Sequence, residues 1–489
     1  MQDCCHQLIR RFSIRQHWSI LTIIVLTPFF LAGAIPILPT FDDWTSLVSP
    51  SFEPFFSKER FLFFGYHWRP FDSIFGYIVG RNPQLLFPLL NHICVVLGHV
   101  CGAILLFQIA RKLRLNSFAC NIATLFFFLS PGMLATVLAV DGLNQTYANL
   151  WALLSTLLYL SLQGRKKYIA WLFFIFIATL CKENALMYAL IAPILAFSFS
   201  IINRSILRKD LIIGIAIMGA YALAILLLPS NIDIHPEYVP SVDKTIKDVF
   251  KFLLSTWFAV DFVSLLYPPK RDILIAAITL LLSLPLLYFV FIKNIKSFCN
   301  KQLIGLLICL LLAVAPHILT VFSMMHTYAG LPFAAIIIAT VIHQNTMTTN
   351  CKWAIILYFI AAIFVDIHLT LLSYQSGLVG KEMAQKAIQK TLSTPSTQHS
   401  TPQSVYIVII EDLHPHFSSF CVPPSEAFGW GRAAQYENNY IWPVELNDTI
   451  IERNEQYKQN AMKIAQTALK QRQADCAWII DDLYIEVIK

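Results

Sequence analysis

Residues 18–38 read WSILTIIVLTPFFLAGAIPIL, and Pro39-Thr40-Phe41-Asp42-Asp43-Trp44 follows at once. Twenty-one residues without a charge are enough to cross a hydrocarbon layer. In lipid every backbone N–H and C=O must find a partner within the segment, so the run is read as a helix. Arg10, Arg11 and Arg15 precede it. It is too long for a leader's apolar region and lacks a small-x-small cut site before Phe41, so a retained first span is expected. Two adjacent carboxylates at its outer end are costly beside a membrane, and such residues mark function by default.

The rest of the chain fits that opening. Of 489 residues, 57% are hydrophobic and 13% charged, against about 25% charged in soluble domains. Mean hydropathy is +0.61. Ten further apolar runs are read as spans, at 84–109, 117–139, 145–162, 167–181, 184–202, 211–229, 272–292, 302–322, 328–344 and 353–374. The net charge of +7 does not signal nucleic acid. With the N-terminus in the cytoplasm and alternating sides, nearly every compact basic cluster falls inside, among them Arg111-Lys112, Arg165-Lys166-Lys167 and Arg208-Lys209. The outer loops are then 39–83, 140–144, the break at Lys182-Glu183, 230–271, the turn before His326 and the C-terminal tail. Residues 248–266 are read as an interfacial helix rather than a twelfth span, because Lys251 and Asp261 interrupt it.

Thr391 to Gln403 collects Gln, Thr, Ser and Pro, so 380–403 is read as a linker between a membrane domain over 1–379 and a soluble domain over 404–489. The β-branched run 404–410 suits a strand and 451–473 a helix. The expected fold is an all-α polytopic membrane protein of about eleven transmembrane helices with a small soluble α/β or α+β appendage. The eleven cysteines form neither a disulfide framework nor a metal motif. Whether Cys421 pairs with Cys476 is left open.

Four polar clusters fall on the outer side. A carboxylate of Asp42-Asp43 could serve as a general base, hold a divalent cation, or cap a helix. Arg69, in His67-Trp68-Arg69-Pro70, offers a planar fork suited to phosphate, or meets lipid headgroups. Lys182-Glu183 has almost no loop to sit in, so it is either a self-compensating ion pair or a lysine aimed at phosphate and oriented by its neighbour. His326-Thr327-Tyr328 could donate to phosphate, or belong to an aromatic belt. Asn91 and His92 lie within the second span, where an interhelical hydrogen bond is the plainer reading. Asp141 and Asn144 occupy a short outer turn that water reaches easily.

The order of these motifs resembles the polyprenyl-phosphate-dependent glycosyltransferases of the GT-C fold, in the group related to protein O-mannosyltransferases and TMTC-like proteins. The matching pieces are Phe41-Asp42-Asp43, Arg69-Pro70-Phe71, Leu90-Asn91, Leu129-Ser130-Pro131, Cys181-Lys182-Glu183-Asn184-Ala185-Leu186 and His326-Thr327-Tyr328-Ala329-Gly330-Leu331-Pro332. The chain departs from the pattern at Val95, where a histidine is frequent, and at Gly132-Met133. The tail carries no tetratricopeptide repeats.

The resemblance implies transfer of a sugar from a polyprenyl-phosphate donor to a hydroxyl on a glycan, lipid or protein, usually with inversion. Asp42 would be the general base and Asp43 would position the acceptor or sugar. Arg69, Lys182 and His326 would neutralise the leaving phosphate, and Glu183 would orient Lys182 or bind a sugar hydroxyl. Asn91, Asp141 and Tyr328 rank second. No cofactor is required, although the acidic pair leaves room for a divalent cation. The expected location is the bacterial plasma membrane, with the active site and tail extracytoplasmic. A transporter, with midplane sites and internal repeats, or an O-antigen ligase or polymerase are the alternatives.

Overall fold

In the computed structural model, a helix lies in the described part of each of the eleven apolar runs, in order. The structure describes residues 16–40, 43–44, 69–71, 74, 89–140, 142–227, 242–260, 270–318, 322–393, 403–411, 424–437 and 445–489. The helices are α1 (Trp18–Ala34), α2 (Leu89–Lys112), α3 (Ser117–Leu129), α4 (Leu134–Val137), α5 (Leu143–Ser161), α6 (Gly164–Cys181), α7 (Tyr188–Ser198), α8 (Arg204–Leu227), α9 (Val242–Trp257), α10 (Lys270–Leu287), α11 (Lys301–Ile318), α12 (Thr327–Gln344) and α13 (Thr349–Ser393). Among the described residues, five helical segments are long and apolar enough to cross a membrane, or six if α3 and α4 count as one span bent by 48°. These are α2, α10 with its π-helical extension, α11, α12 with its leading turn, and α13. The protein is therefore an integral membrane protein.

The bend between α3 and α4 has a plain cause. Pro131 supplies no N–H and disfavours helical geometry at Ser130, so the helix stops at Leu129 and resumes after a 3₁₀ turn, Pro131–Met133. At the centre of the bundle stands α12, buried from Thr327 through Ile342. It is apolar on all sides, as a fully enclosed helix must be, and it packs on α3 and α11.

Where the basic loops gather, Asp210 at the start of α8 is fully buried. It accepts from Lys167 Nζ at 2.9 Å, from Tyr168 Oη at 2.8 Å and from Tyr159 Oη. The Lys167 ammonium lies 4.4 Å from the centroids of both tyrosine rings. Burying a charge is tolerated when it is paired and hydrogen-bonded, as both oxygens of Asp210 are here.

The helix expected at 248–266 begins earlier. As α9 it presents Val242, Ile246, Val249, Phe250 and Leu253 outward in one stripe and buries Phe252, Ser255 and Trp257. The apolar residues at helical spacing start at Val242, which sets its real beginning; 261–269 lie outside the described residues.

The soluble part is a four-stranded sheet in the order β2-β1-β3-β4, with β1 (Ser404–Ile410), β2 (Glu445–Ile451), β3 (Cys476–Asp481) and β4 (Tyr484–Ile488). β1 is parallel to both neighbours, and β4 folds back antiparallel on β3. Parallel strands need cover on both faces. On one face Tyr457–Lys470 (α16) lays Ala461 and Ala465 against Val408, Ile410, Ala477 and Ile479, while Pro424–Ala427 (α14) and Arg432–Glu437 (α15) lie on the opposite face, against α13. The other face is covered by the end of α13 (Val379, Met383, Ala384, Ala387) together with Phe428 and Trp44. Residues 380–393, placed by composition in a linker, thus lie within a helix that runs unbroken out of the bundle. Cys476 is a free, buried thiol, and burial pushes its pKa up to about 12; Cys421 lies outside the described residues.

Asp210→Ala should leave the Lys167 ammonium buried without its counter-ion. The expected loss is about 3–5 kcal/mol, read as a lowered Tm of the detergent-solubilised protein, with Asp210→Asn losing less.

Candidate active site

The chain breaks its helical run at Lys182, and the break gathers the site. Lys182 takes an extended conformation between α6 and a 3₁₀ turn, Glu183–Met187, that leads into α7. Its side chain is nearly fully buried. The adjacent Glu183 receives Arg69 in a two-pronged pair, Nε to Oε2 at 3.0 Å and Nη2 to Oε1 at 2.7 Å. Fork-to-carboxylate geometry of this kind fixes the guanidinium plane. The pair is only partly sheltered, at 15% and 34% side-chain exposure, so a charged group can approach it.

Next in the chain, Asn184 Nδ2 stands 3.0 Å from His317 Nε2 at the end of α11. His317 stacks on His326 with ring centroids 3.9 Å apart and planes within 9°. Ser323 donates its backbone N–H to His326 Nδ1 at 3.0 Å. A backbone amide only donates, so Nδ1 carries no proton, and the ring here is the neutral tautomer bearing Nε2–H. His326 therefore offers a hydrogen bond rather than a charge. Its turn is pinned on both sides, by Thr136 Oγ1 to the Met325 carbonyl at 2.9 Å and by the Ser255–Thr327 hydroxyl pair at 2.7 Å. His317 also feels the charges of Lys182, Glu183 and Arg69. Arg69, Lys182, Glu183, Asn184, His317 and His326 form one electrostatic neighbourhood.

Asp43 is held by its own turn. Asp43 is buried and accepts the Thr40 N–H on Oδ2 at 3.0 Å, while its own N–H donates to the Thr40 carbonyl at 3.1 Å. This reciprocal use of Thr40 and the acid three residues on resembles a capping box, and it commits one oxygen of Asp43 to the turn. Asp42 and Asp141 lie outside the described residues. Upstream, His92 Nε2 stands 2.9 Å from the Ile37 carbonyl and tethers the chain leaving the first span. Asn91, beside it, is buried, and its Oδ1 has no hydrogen-bond partner among the described residues.

Tyr328 is not with the histidines. It is fully buried and meets His99 Nδ1 at 3.0 Å, in the packed interior between α2 and α3. Two residues along a helix turn a side chain through about 200°, so Tyr328 and His326 face opposite ways. Asn184 stands in the Lys182-Glu183-Asn184 cluster of the sequence without a role of its own, and His317 is not singled out there. Their signal was present: a polar side chain at the outer end of an apolar run, on the side of the other clusters. Among the described residues no three His, Cys, Asp or Glu side chains are grouped to hold a metal ion.

No family model matches this chain, and no curated protein matches it. Similar solved structures include the oligosaccharyltransferase AglB of Archaeoglobus fulgidus in complex with an inhibitory peptide and a dolichol-phosphate. It is 12% identical, with 89% of this chain and 65% of that chain covered and a TM-score of 0.45. ArnT of Cupriavidus metallidurans bound to undecaprenyl phosphate is 11% identical, with 96% and 98% covered and a TM-score of 0.48. The apo form of the Archaeoglobus oligosaccharyltransferase is 12% identical, with 86% and 64% covered and a TM-score of 0.43. This chain thus spans just under two thirds of the archaeal enzyme's length and nearly all of ArnT's.

A double-mutant cycle on Arg69→Gln and Glu183→Gln should give a coupling of about 1 kcal/mol in thermal stability, the upper range for a partly exposed pair. Additive effects would mean that the two-pronged contact is not held in the membrane-embedded protein.

Proposed function

We propose that the protein is a membrane glycosyltransferase that moves a sugar from a polyprenyl-phosphate donor to a hydroxyl acceptor at the extracytoplasmic face. The observation that carries this reading is the convergence of Arg69, buried Lys182 and the Nε2–H of His326 at one break in the bundle. Those are donors of the kind that charge on a departing phosphate demands, fixed in place before it develops.

In the proposed reaction the acceptor oxygen bonds to the sugar's anomeric carbon as the carbon–oxygen bond to phosphate breaks, with inversion. Asp42 takes the acceptor proton, and polyprenyl phosphate leaves with the electron pair. Lys182 meets that growing charge where little water screens it, so its attraction is strong. Glu183 holds the Arg69 fork in plane and moderates the positive charge of the empty site. Asn184 and His317 keep His326 stacked and its ring oriented. Asp43, next to Asp42 in sequence, is locked to Thr40 by two hydrogen bonds. A divalent cation at the acidic pair would be an addition to this scheme, which routes no step through it. The acceptor is a hydroxyl-bearing glycan, lipid or protein, and the proposed compartment is the bacterial plasma membrane with the tail outside the cytoplasm.

Purified protein given a panel of polyprenyl-phosphate sugars and a membrane extract should release free polyprenyl phosphate, and Asp42→Asn should release none while remaining folded. Near-normal release by Asp42→Asn would remove it as base. Lys182→Ala should lower kcat by about 10²–10³-fold, the usual cost of one preorganised transition-state donor. An unchanged kcat would take Lys182 out of the phosphate site.

A further inference from the structure

We propose that Trp44 is a positioning residue, through which the soluble domain holds Asp43 and the Thr40 backbone it is bonded to. Trp44 follows Asp43 directly, yet its side chain is not packed in the membrane bundle. It is buried in the core of the soluble domain, in one cluster with Val379, Met383, Phe428 and Trp478. The fit is close. Gly429 has φ of +60°, and a Cβ there would stand 2.4 Å from Trp44 Cδ1. Glycine is needed twice over, for its backbone conformation and for the room it leaves the indole.

The other end of the same segment is fixed too. Gly377 on α13 lets the chain at Leu38 approach so closely that a Cβ would lie 2.8 Å from the Leu38 carbonyl oxygen. Between these two anchors stands the Thr40–Asp43 turn with its two mutual hydrogen bonds. Leu38 therefore meets α13, and Trp44 meets the domain that α13 carries. Asp42 lies between them in sequence. A side chain that must meet a hydroxyl proton at hydrogen-bond distance is sensitive to small displacement, and 1 Å of misplacement can cost about 100-fold in rate. The domain thus serves the reaction without supplying a reacting group.

This inference rests on the reading of the acidic pair as catalytic, so its test has two readouts. The first is hydrogen–deuterium exchange of the full-length protein over residues 38–44, whose Thr40 and Asp43 amides are hydrogen-bonded. Trp44→Ala and Gly429→Ala should speed exchange there and leave α2 and α12 protected. The second is polyprenyl phosphate release: kcat should fall about 100-fold with the donor KM unchanged, and Trp44→Phe should restore most of it. Trp478→Phe, a change in the same core away from the loop, should lower thermal stability without that kcat loss.

Unchanged exchange in Gly429→Ala would show that the domain does not hold the loop. Faster exchange with unchanged kcat would show that the hold does not position the base. A donor KM that rises as far as kcat falls would mean general damage to the site and overturn the positioning role. If the wild type releases no polyprenyl phosphate from any donor, the enzyme reading fails, and the exchange result alone still decides whether the domain clamps the loop.

Discussion

One uninterrupted helix, α13, is packed for two solvents, and the arrangement of everything outside the bundle follows from it. Its 45 residues rise about 68 Å, roughly twice the thickness of a hydrocarbon core. The lower part packs on α10 and shows Ile356, Ile360, Phe364 and Ile367 outward. The upper part supplies Val379, Met383, Ala384 and Ala387 to the sheet. Lys390 Nζ reaches the Ile485 carbonyl at 2.6 Å, and Thr391 accepts from the Trp478 indole at 3.1 Å. A sheet with β1 parallel to both neighbours cannot leave a face bare, so it cannot part from this helix without exposing its own core.

The candidate site obeys a different economy. Its members come from a loop, a helix break and two helix ends, where the backbone is already irregular and side chains can converge. Arg69 and Glu183 are 114 residues apart, and neither would be stable half-sheltered without the other. The histidine pair relies on stacking and on a backbone donor, so its chemistry is set by the Ser323 amide as much as by the rings themselves.

Much of the membrane fold was legible because lipid leaves the backbone few options, and every long apolar run became a helix. What was not legible depended on contacts between distant residues. The end of α13 reads as a linker because its outward residues include Lys381, Glu382, Gln385 and Gln389, while its inward ones are mostly small, such as Gly380, Ala384, Ala387 and Thr391, and carry no strong periodic signal. For α9 the helix was expected but six residues late, since its stripe begins in a stretch that also contains charges. In the site, Lys182-Glu183 stood out because a charged pair without a loop is costly. The partner of Glu183, the stacking of His317 on His326 and the inward turn of Tyr328 are facts of tertiary packing. Asp43 shows a subtler limit: a dipeptide of acids looks symmetrical, and the Thr40 hydrogen bonds that hold Asp43 are not written in it.

The outward stripe of α9 also has a consequence for the site. Val242, Ile246, Val249, Phe250 and Leu253 sit best in acyl chains, while Lys244, Lys247 and Lys251 sit best among headgroups. Such a helix has one preferred depth. Because Ser255 on α9 is hydrogen-bonded to Thr327, one residue from His326, that depth is passed to the histidine turn. The bilayer surface itself then acts as the ruler against which the turn is set, and a thicker or thinner membrane would reach the site through this one helix.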